Sequence, residues 1–380
     1  MRAHAPAVVI GGGIAGAAVA AHLAQAGRAV MLIERRAGAH DKVCGEFVSG
    51  EAALYLDDLG IDLIALGAVR MRAVRLAAGR RVATAPLPFP AFSLSRRALD
   101  EALLRAAAAA GADVRRGRAV RGFASRHDGW AVALDDGTSL AASDVFLATG
   151  KHDLRGWKRP PGTQPDLVAF KLHWRLSREE TAALGASVEL VLFPGGYAGL
   201  EPVEGGIANL CLVVRRSPLA DLGGRWDALL AALRSASPHL DRRLMGAEAC
   251  SSRPLAIAAI PYGYVAQRGC GPWRLGDQAA VIPSFSGDGI AIALHSARLA
   301  ADIHLAGGTA AEFQRRLARD VAGQVRRATW ISRMLVHPSG RMIAAAGARV
   351  MPGLLAGIAQ MTRIPAPCLR SARDVQLHSA

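Results

Sequence analysis

The sequence is poor in cysteine and contains no long uninterrupted apolar run. Its five cysteines are widely spaced and form no Cys-x-x-Cys pair, which argues against a disulfide framework or a zinc site and predicts reduced thiols. No window reaches the run of about 20 apolar residues that a membrane span needs. The first residues also lack the layout of a signal peptide. We therefore expect a globular, cytoplasmic protein without a metal site.

The chain has little acid relative to its arginine content, and its formal net charge is +15. The arginines are spread along the sequence in short pairs, which is typical of solvated faces and disfavours nucleic-acid binding. Attraction to anionic ligands or to a membrane surface is compatible with this excess. At 380 residues the chain is long enough for two or three structural units.

A glycine-rich turn follows the first apolar strand. Residues 7–10 predict a buried strand, an alanine-rich helix follows, and a second strand, 29–33, ends at Glu34. Glycines at the three fingerprint positions permit a tight turn, close approach of a pyrophosphate and close helix packing, and Glu34 can accept hydrogen bonds from an adenosine ribose. The predicted nucleotide contacts of this unit are Gly11, Gly13, Ile14, Ala15, Gly16, Glu34 and Arg35.

A second glycine turn begins at Gly276 and leads into a helix. An aspartate here, Asp277, can accept a hydrogen bond from a ribityl hydroxyl, and amides at the helix N-terminus can stabilise the negative charge of a reduced flavin. Only a flavin carries a ribityl chain, so we predict non-covalent FAD. The other predicted contacts are Val120, Thr149, Gly150, Asp277, Pro283, Gly287, Gly289 and Ile290.

The order of predicted elements indicates an α/β protein. We expect a Rossmann-type FAD-binding domain with a parallel sheet and a β-meander, an inserted mixed or antiparallel β-sheet substrate domain, and C-terminal helices. The FAD-binding domain is predicted over 1–70, 93–162 and 262–308. The substrate domain is predicted over 71–92 and 163–261, and the C-terminal helical region over 309–380.

Three segments resemble, in order and spacing, the single-Rossmann flavoprotein superfamily that includes aromatic-ring hydroxylases and geranylgeranyl reductases. They are the N-terminal fingerprint, residues 95–100 (Ser-Arg-Arg-Ala-Leu-Asp) and residues 276–290. Within the superfamily, residues 41–46 are similar to the Lys-x-Cys-Gly segment of the geranylgeranyl reductase branch. Residues 193–202 resemble its Pro-Gly-Gly-Tyr-x-Trp-x-x-Pro strand pair, although Gly199 replaces the tryptophan. The halogenase motif Trp-x-Trp-x-Ile-Pro is absent.

The resemblance implies site residues. Arg96 would contact the flavin or its pyrophosphate, and the Cys44-Gly45 turn would lie beside the isoalloxazine ring. Cys44 is either a redox or proton-transfer group or a small buried side chain, and Glu46 is either a proton donor or a solvated turn carboxylate. His173, on a predicted strand, either faces the substrate or is structural. The candidate catalytic residues are Cys44, Glu46, His173 and Tyr197.

The sequence has no second glycine fingerprint, so a separate NAD(P)H domain of the disulfide-reductase type is not expected. NAD(P)H or a partner reductase would reduce the flavin transiently. The first hypothesis is an FAD monooxygenase that hydroxylates a hydrophobic small molecule, such as an aromatic or polyketide-derived metabolite. The alternatives are a reductase of isoprenoid-type double bonds and a non-catalytic FAD-containing binding module.

The C-terminal helices suggest one further partner. Met342, Val350, Leu354 and Leu355 stand among arginines there, so these helices either contact a membrane surface or pack on the FAD domain. The sequence does not indicate an oligomeric state.

Overall fold

The computed structural model describes residues 5–267, 271–340, 342 and 353–369. The strands are β1 Ala7–Ile10, β2 Val30–Glu34, β3 Phe47–Ser49, β4 Val69–Ala78, β5 Arg81–Ser93, β6 Asp113–Arg116, β7 Val120–Arg126, β8 Gly129–Leu134, β9 Ser139–Ala142, β10 Val145–Leu147, β11 Leu167–Arg175, β12 Ser187–Phe193, β13 Gly196–Val203, β14 Ile207–Arg215, β15 Glu248–Ala249, β16 Leu255–Ala258 and β17 Trp273–Arg274. The helices are α1 Ile14–Gln25, α2 Gly50–Asp58, α3 Arg96–Ala109, α4 Arg178–Leu184, α5 Arg216–Asp221, α6 Trp226–Ala236, α7 Pro238–Arg243, α8 Gly289–Leu305, α9 Ala310–Val336 and α10 Gly353–Met361.

Five strands form a parallel sheet in the order β17-β10-β1-β2-β6. β1, β2 and β10 are apolar and buried throughout, apart from the terminal Glu34, as expected for strands covered on both faces. Helices α1, α3 and α8 pack on one face in an alanine-rich core. The meander β7-β8-β9 covers the other face through a second apolar cluster. This is the Rossmann-type arrangement expected for the nucleotide-binding half.

The second large sheet has nine strands. Its main path is β15-β11-β14-β13-β12-β4-β5-β3, and β16 also pairs with β11. The sheet is mixed because β4 and β12 run parallel while its other pairs are antiparallel. It joins strands that precede the meander in the chain, β3 to β5, with strands that follow it, β11 to β16, in one layer.

The two faces of this sheet differ in chemistry. Along β11 the apolar Phe170, Leu172 and Trp174 pack in a core with residues of helices α4 to α7. Side chains alternate along a strand, so the intervening Lys171 and His173 point to the opposite face. That face carries further polar side chains from β13 and β14, yet most of them are buried.

The architecture predicted from the sequence is confirmed: a parallel sheet, a meander, a mixed sheet and C-terminal helices are all present. The substrate-domain segment predicts one helix, near 226–233, which α6 matches; the structure adds α4, α5 and α7, which are too short to show a clear helical period. The proposed domain boundaries stay a prediction.

Two further predictions concern the whole chain. Val350 and the side chain of Leu354, invoked for membrane contact, lie outside the described residues. Within the described part, no helix is long and apolar enough to cross a lipid bilayer.

Candidate active site

The N-terminus of α1 lies against two cationic side chains. Gly13 precedes the helix, and a Cβ built there would lie 3.5 Å from Lys42 Nζ and 3.6 Å from Arg96 Nη2. Both cations bind the buried Asp100, at 2.7 Å from Lys42 Nζ and 2.9 Å from Arg96 Nε. Burial alone would raise the pKa of Asp100, but the charges of Arg96 and Lys42 outweigh burial and lower it. Asp100 thus holds two positive charges at a helix N-terminus, which suits a diphosphate.

The glycine turn before α1 is too tight for side chains. Gly11 has φ +107°, and a Cβ on Gly16 would lie 1.9 Å from the carbonyl oxygen of Gly11. The buried carboxylate of Glu34 accepts a hydrogen bond from the Gly12 amide at 2.7 Å. Glu34 is therefore fixed at the end of β2, beside the turn, where a ribose contact is predicted.

Asp277 follows β17 and lies among residues from distant parts of the chain. Lys151 Nζ is 3.6 Å from Asp277 Oδ2 and donates to the carbonyl oxygen of Val43 at 3.1 Å. The buried Gln278 donates to the carbonyl oxygen of Gly150 at 2.8 Å. These contacts gather three segments beyond the carboxyl ends of parallel strands, where open α/β sheets bind ligands. Neither residue was predicted as a contact: Lys151 belongs to no recognised motif, and Gln278 lies inside the 276–290 segment but was assigned no role.

The second glycine turn leads into α8. Gly287 is left-handed, with φ +68°, and a Cβ there would lie 2.6 Å from Phe47 Cδ1. The next residue, Asp288, is fully buried and lies 3.1 Å from Arg363 Nη1. Burial raises the pKa of Asp288 to about 7, although the Arg363 charge opposes the shift. Arg363 follows α10, so the C-terminal segment supports the predicted flavin turn.

Glu46 connects the two halves of the protein. It is fully buried, and it is one of two described non-glycine residues with a positive φ, +68°. Its carboxylate forms an ion pair with Lys171, accepts a hydrogen bond from the Arg96 amide at 2.7 Å, and lies 2.7 Å from His173 Nε2. Burial would raise the pKa of Glu46, but His173 and Lys171 together lower it. The geometry therefore favours an ionised carboxylate over a solvated turn residue or a proton donor.

Glu201 is a second buried acid, but its surroundings oppose ionisation, whereas those of Glu46 favour it. It is 3% exposed, and no described residue offers either carboxyl oxygen a hydrogen bond of acceptable geometry, although the Ser93 hydroxyl lies nearby. Burial, assisted by the charge of Glu46, raises the pKa of Glu201 well above its ordinary value. Asn209, directly opposite on β14, donates to the carbonyl oxygen of Cys44 at 3.1 Å. Glu201 is thus a carboxyl group close to the Cys44 turn that keeps its proton to a higher pH than usual, and it was not among the residues predicted from the sequence.

Three of these side chains are of metal-ligating type. One ligand atom each from Asp41, Glu46 and His173 lies within 4.8 Å of the others. Glu46 is already paired with the ammonium group of Lys171, and a second cation beside that charge is disfavoured by repulsion. The absence of a metal site stays a prediction.

The remaining predicted residues lie at different distances from this cluster. Tyr197 is buried, and its hydroxyl lies 3.4 Å from Ser284 Oγ, in the turn before α8. Arg35 is exposed, and Val120 is half-buried in the meander, so neither joins the buried polar group. The loops and helix start around the cluster hold Gly45, Thr149, Gly150, Pro283, Gly289 and Ile290. Their roles stay predictions.

The arrangement fits both the adenosine diphosphate part and the flavin part of FAD. The cradle at Gly13 with Lys42 and Arg96 suits the diphosphate, and Glu34 suits the ribose. Asp277 follows Gly276, which packs against Ala15 of α1. The turn before α8 lies beside the buried face that carries Glu46 and Glu201, since Ser284 contacts Tyr197. The pKa of Glu46 is lowered and the pKa of Glu201 is raised. The site can therefore hold both a fixed negative charge and a transferable proton.

Comparisons with known proteins agree with this geometry. A family model described as an FAD binding domain matches residues 4–145. The menaquinone reductase of Mycolicibacterium smegmatis is 29% identical over 327 residues, which cover 81% of this chain and 78% of that protein.

Two solved structures share the fold. A geranylgeranyl bacteriochlorophyll reductase-like protein from Thermoplasma acidophilum has a TM-score of 0.70 at 17% identity and covers 99% of this chain and 98% of that chain. The halogenase PltM, solved with phloroglucinol and FAD, has a TM-score of 0.73 at 16% identity and covers 94% of this chain and 83% of that chain. Together with the FAD-binding match over residues 4–145, the similarity to menaquinone reductases shows that this chain is an FAD-dependent oxidoreductase.

Proposed function

We propose that this enzyme reduces a carbon–carbon double bond in a lipophilic substrate of the isoprenoid type, such as a prenylated quinone. The observation that carries the proposal is the buried polar face of the mixed sheet, where a thiol and a neutral carboxyl group lie close to the predicted flavin site. The similarity to menaquinone reductases and to a geranylgeranyl reductase-like protein supports the same reaction class.

Saturating an alkene requires a hydride on one carbon and a proton on the other. Bound reduced FAD supplies the hydride equivalent. Cys44 is proposed to supply the proton because its sulfur lies beside the Arg96 guanidinium and accepts the Glu46 amide N–H at 3.3 Å. Both groups stabilise the thiolate that remains. Glu201, neutral in the same cluster, is proposed as the proton reserve that reprotonates Cys44.

Gly199 gives the proposed substrate room. In the reductase-like segment a tryptophan is expected at this position, and a Cβ on Gly199 would meet a single neighbouring atom, the Cys211 carbonyl oxygen at 3.8 Å. The space beside β13 therefore lies open, on the same face as Tyr197 and Glu201. An apolar chain lying there would displace water from the cluster, which strengthens its electrostatic interactions.

The proton-donor assignment is tested by comparing two cysteine variants. Cys44→Ala should slow turnover of reduced enzyme with an unsaturated menaquinone by about 10²- to 10⁴-fold, the usual contribution of a positioned acid. Cys250→Ala is the matched control, since Cys250 is exposed and outside the site. In D₂O the carbon that Cys44 protonates should carry solvent deuterium in the wild-type product. Equal rates for both variants would remove Cys44 from the mechanism, and an oxygenated product would favour the monooxygenase hypothesis.

A further inference from the structure

Helix α9 has a buried side and a strongly cationic exposed side. Phe313, Leu317 and Val321 pack into the core of the FAD-binding half. At 3.6 residues per turn, five exposed residues on the other side fall within about 60° of one another and extend over about 27 Å, and the exposed Glu312 lies at the N-terminal edge of the same side. This arginine face of α9 consists of Arg315, Arg319, Arg326, Trp330 and Arg333.

The charge of this face is not neutralised by the protein. No ion pair within the described residues involves any of its four arginines. The acidic residues of α9 are Glu312, in the first turn, and Asp320, which is buried and pairs with His295 and Arg316. The face therefore presents four guanidinium groups without a carboxylate partner, of which Arg333 donates a hydrogen bond to the carbonyl oxygen of Thr163.

The shape and composition of the face suit phospholipid headgroups. Ala322 and Gly323 leave an open groove of about 750 Å³ between the arginines. Arginine binds phosphate in a bidentate manner. In the same row, Trp330 is 65% exposed, which is unusual for a side chain that soluble proteins bury but typical of residues at a membrane–water interface. Arg327 also bonds the carbonyl oxygen of Met361, an apolar residue that is 51% exposed.

We propose that the arginine face of α9 docks the enzyme on an anionic lipid bilayer, with the arginines on lipid phosphates and Trp330 at headgroup level. The bilayer is favoured over a polynucleotide because the exposed tryptophan and methionine flank the charges, and apolar contacts of this kind belong to a lipid interface. The docking surface goes beyond the proposed function and stands without it, because it rests on the surface of α9 and not on the reaction.

The test uses the full, FAD-loaded chain and vesicle flotation. Wild-type protein should float with phosphatidylcholine vesicles that contain phosphatidylglycerol, should not float with phosphatidylcholine alone, and should be released by salt. Each arginine contributes about five-fold to partitioning, so the loss of three arginines should reduce it by on the order of a hundred-fold, and reversal of their charges should reduce it further. The test variant reverses Arg315, Arg319 and Arg326. The control reverses three exposed arginines elsewhere, namely Arg80, Arg121 and Arg126.

The control variant carries the same net charge as the test variant. If the arginine face of α9 is the docking surface, only the test variant should lose vesicle binding. Trp330→Ala should weaken flotation without changing net charge. Unchanged FAD content and turnover of detergent-dispersed substrate show that each variant is folded. Equal flotation of the test and control variants, or no flotation of the wild type, would overturn the proposal. The proposal would also be overturned if the wild type binds duplex DNA but not vesicles, and the test variant loses that DNA binding.

Discussion

Replacing Glu201 by glutamine removes a buried carboxyl group that should keep its proton to a higher pH than an ordinary carboxyl group does. The pKa of Glu201 lies well above the ordinary value of 4.5 because the carboxyl group is buried and lies near another negative charge. Above pH 4.5 the unfolded chain has released this proton while the folded chain still holds it. The stability that Glu201 contributes is therefore fully present below pH 4.5 and is lost as the pH rises toward the folded-state pKa.

The magnitude follows from one proton. The wild-type free energy of unfolding should lose about 1.4 kcal/mol per pH unit through this group over that window. Glutamine does not titrate, so the stability of Glu201→Gln relative to the wild type should rise by the same amount per unit. Subtracting the two proteins cancels the titration of every other group that the substitution leaves unchanged.

Urea unfolding of both proteins at several pH values from about 5 to 8 measures this difference. Glu179→Gln removes an exposed carboxyl group from α4 and controls for the change in net charge. Infrared spectra offer a second readout, since a protonated carboxyl band should disappear in Glu201→Gln. A difference in stability that does not change with pH, together with an unchanged carboxyl band, would refute the assignment of a neutral acid at this site.

Two further predictions concern the cofactor end and the buried ion pair. Arg96→Ala should weaken FAD binding by about 10- to 150-fold, the worth of one charge-assisted hydrogen bond, whereas the exposed neighbour Arg97→Ala should not; equal dissociation constants by fluorescence titration would contradict the diphosphate cradle. Lys171→Met should destabilise the protein by roughly 3–5 kcal/mol at neutral pH, because it leaves Glu46 buried without its cation, and a second change, Glu46→Gln, should restore part of the loss in urea unfolding.

Local sequence patterns predicted the nucleotide-binding half well. At Gly11 and Gly16 the turn follows from steric demands that only glycine meets, and those demands recur at fixed spacing. The same holds for Gly287, whose left-handed backbone and contact with Phe47 exclude a side chain. Where a steric constraint depends on a few neighbouring residues, it can be recognised directly in the sequence.

The buried polar face could not be predicted in this way. β11 alternates apolar residues with Lys171 and His173, and such alternation is typical of a strand with one face in solvent. Here the packing of the two halves buries both faces, so the polar face becomes part of the site. Glu201 lies two residues from Gly199, and Asn209 lies two residues from Cys211, so the sequence does place each pair on one face of its strand. Only the register between the strands brings these residues together. Lys42 and Lys151 likewise act on partners that are distant in sequence.

The reaction is tested most directly by oxygen dependence in a single turnover. FAD-loaded enzyme, photoreduced under strict anaerobiosis, is mixed with menaquinone carrying an unsaturated side chain, and flavin absorbance and product mass are followed. The proposed reduction predicts flavin reoxidation without oxygen and a product heavier by two hydrogens, with solvent deuterium in the product when the mixing is done in D₂O. Flavin that stays reduced until oxygen is admitted, followed by a product that has gained an oxygen atom, would contradict the proposed reductase activity.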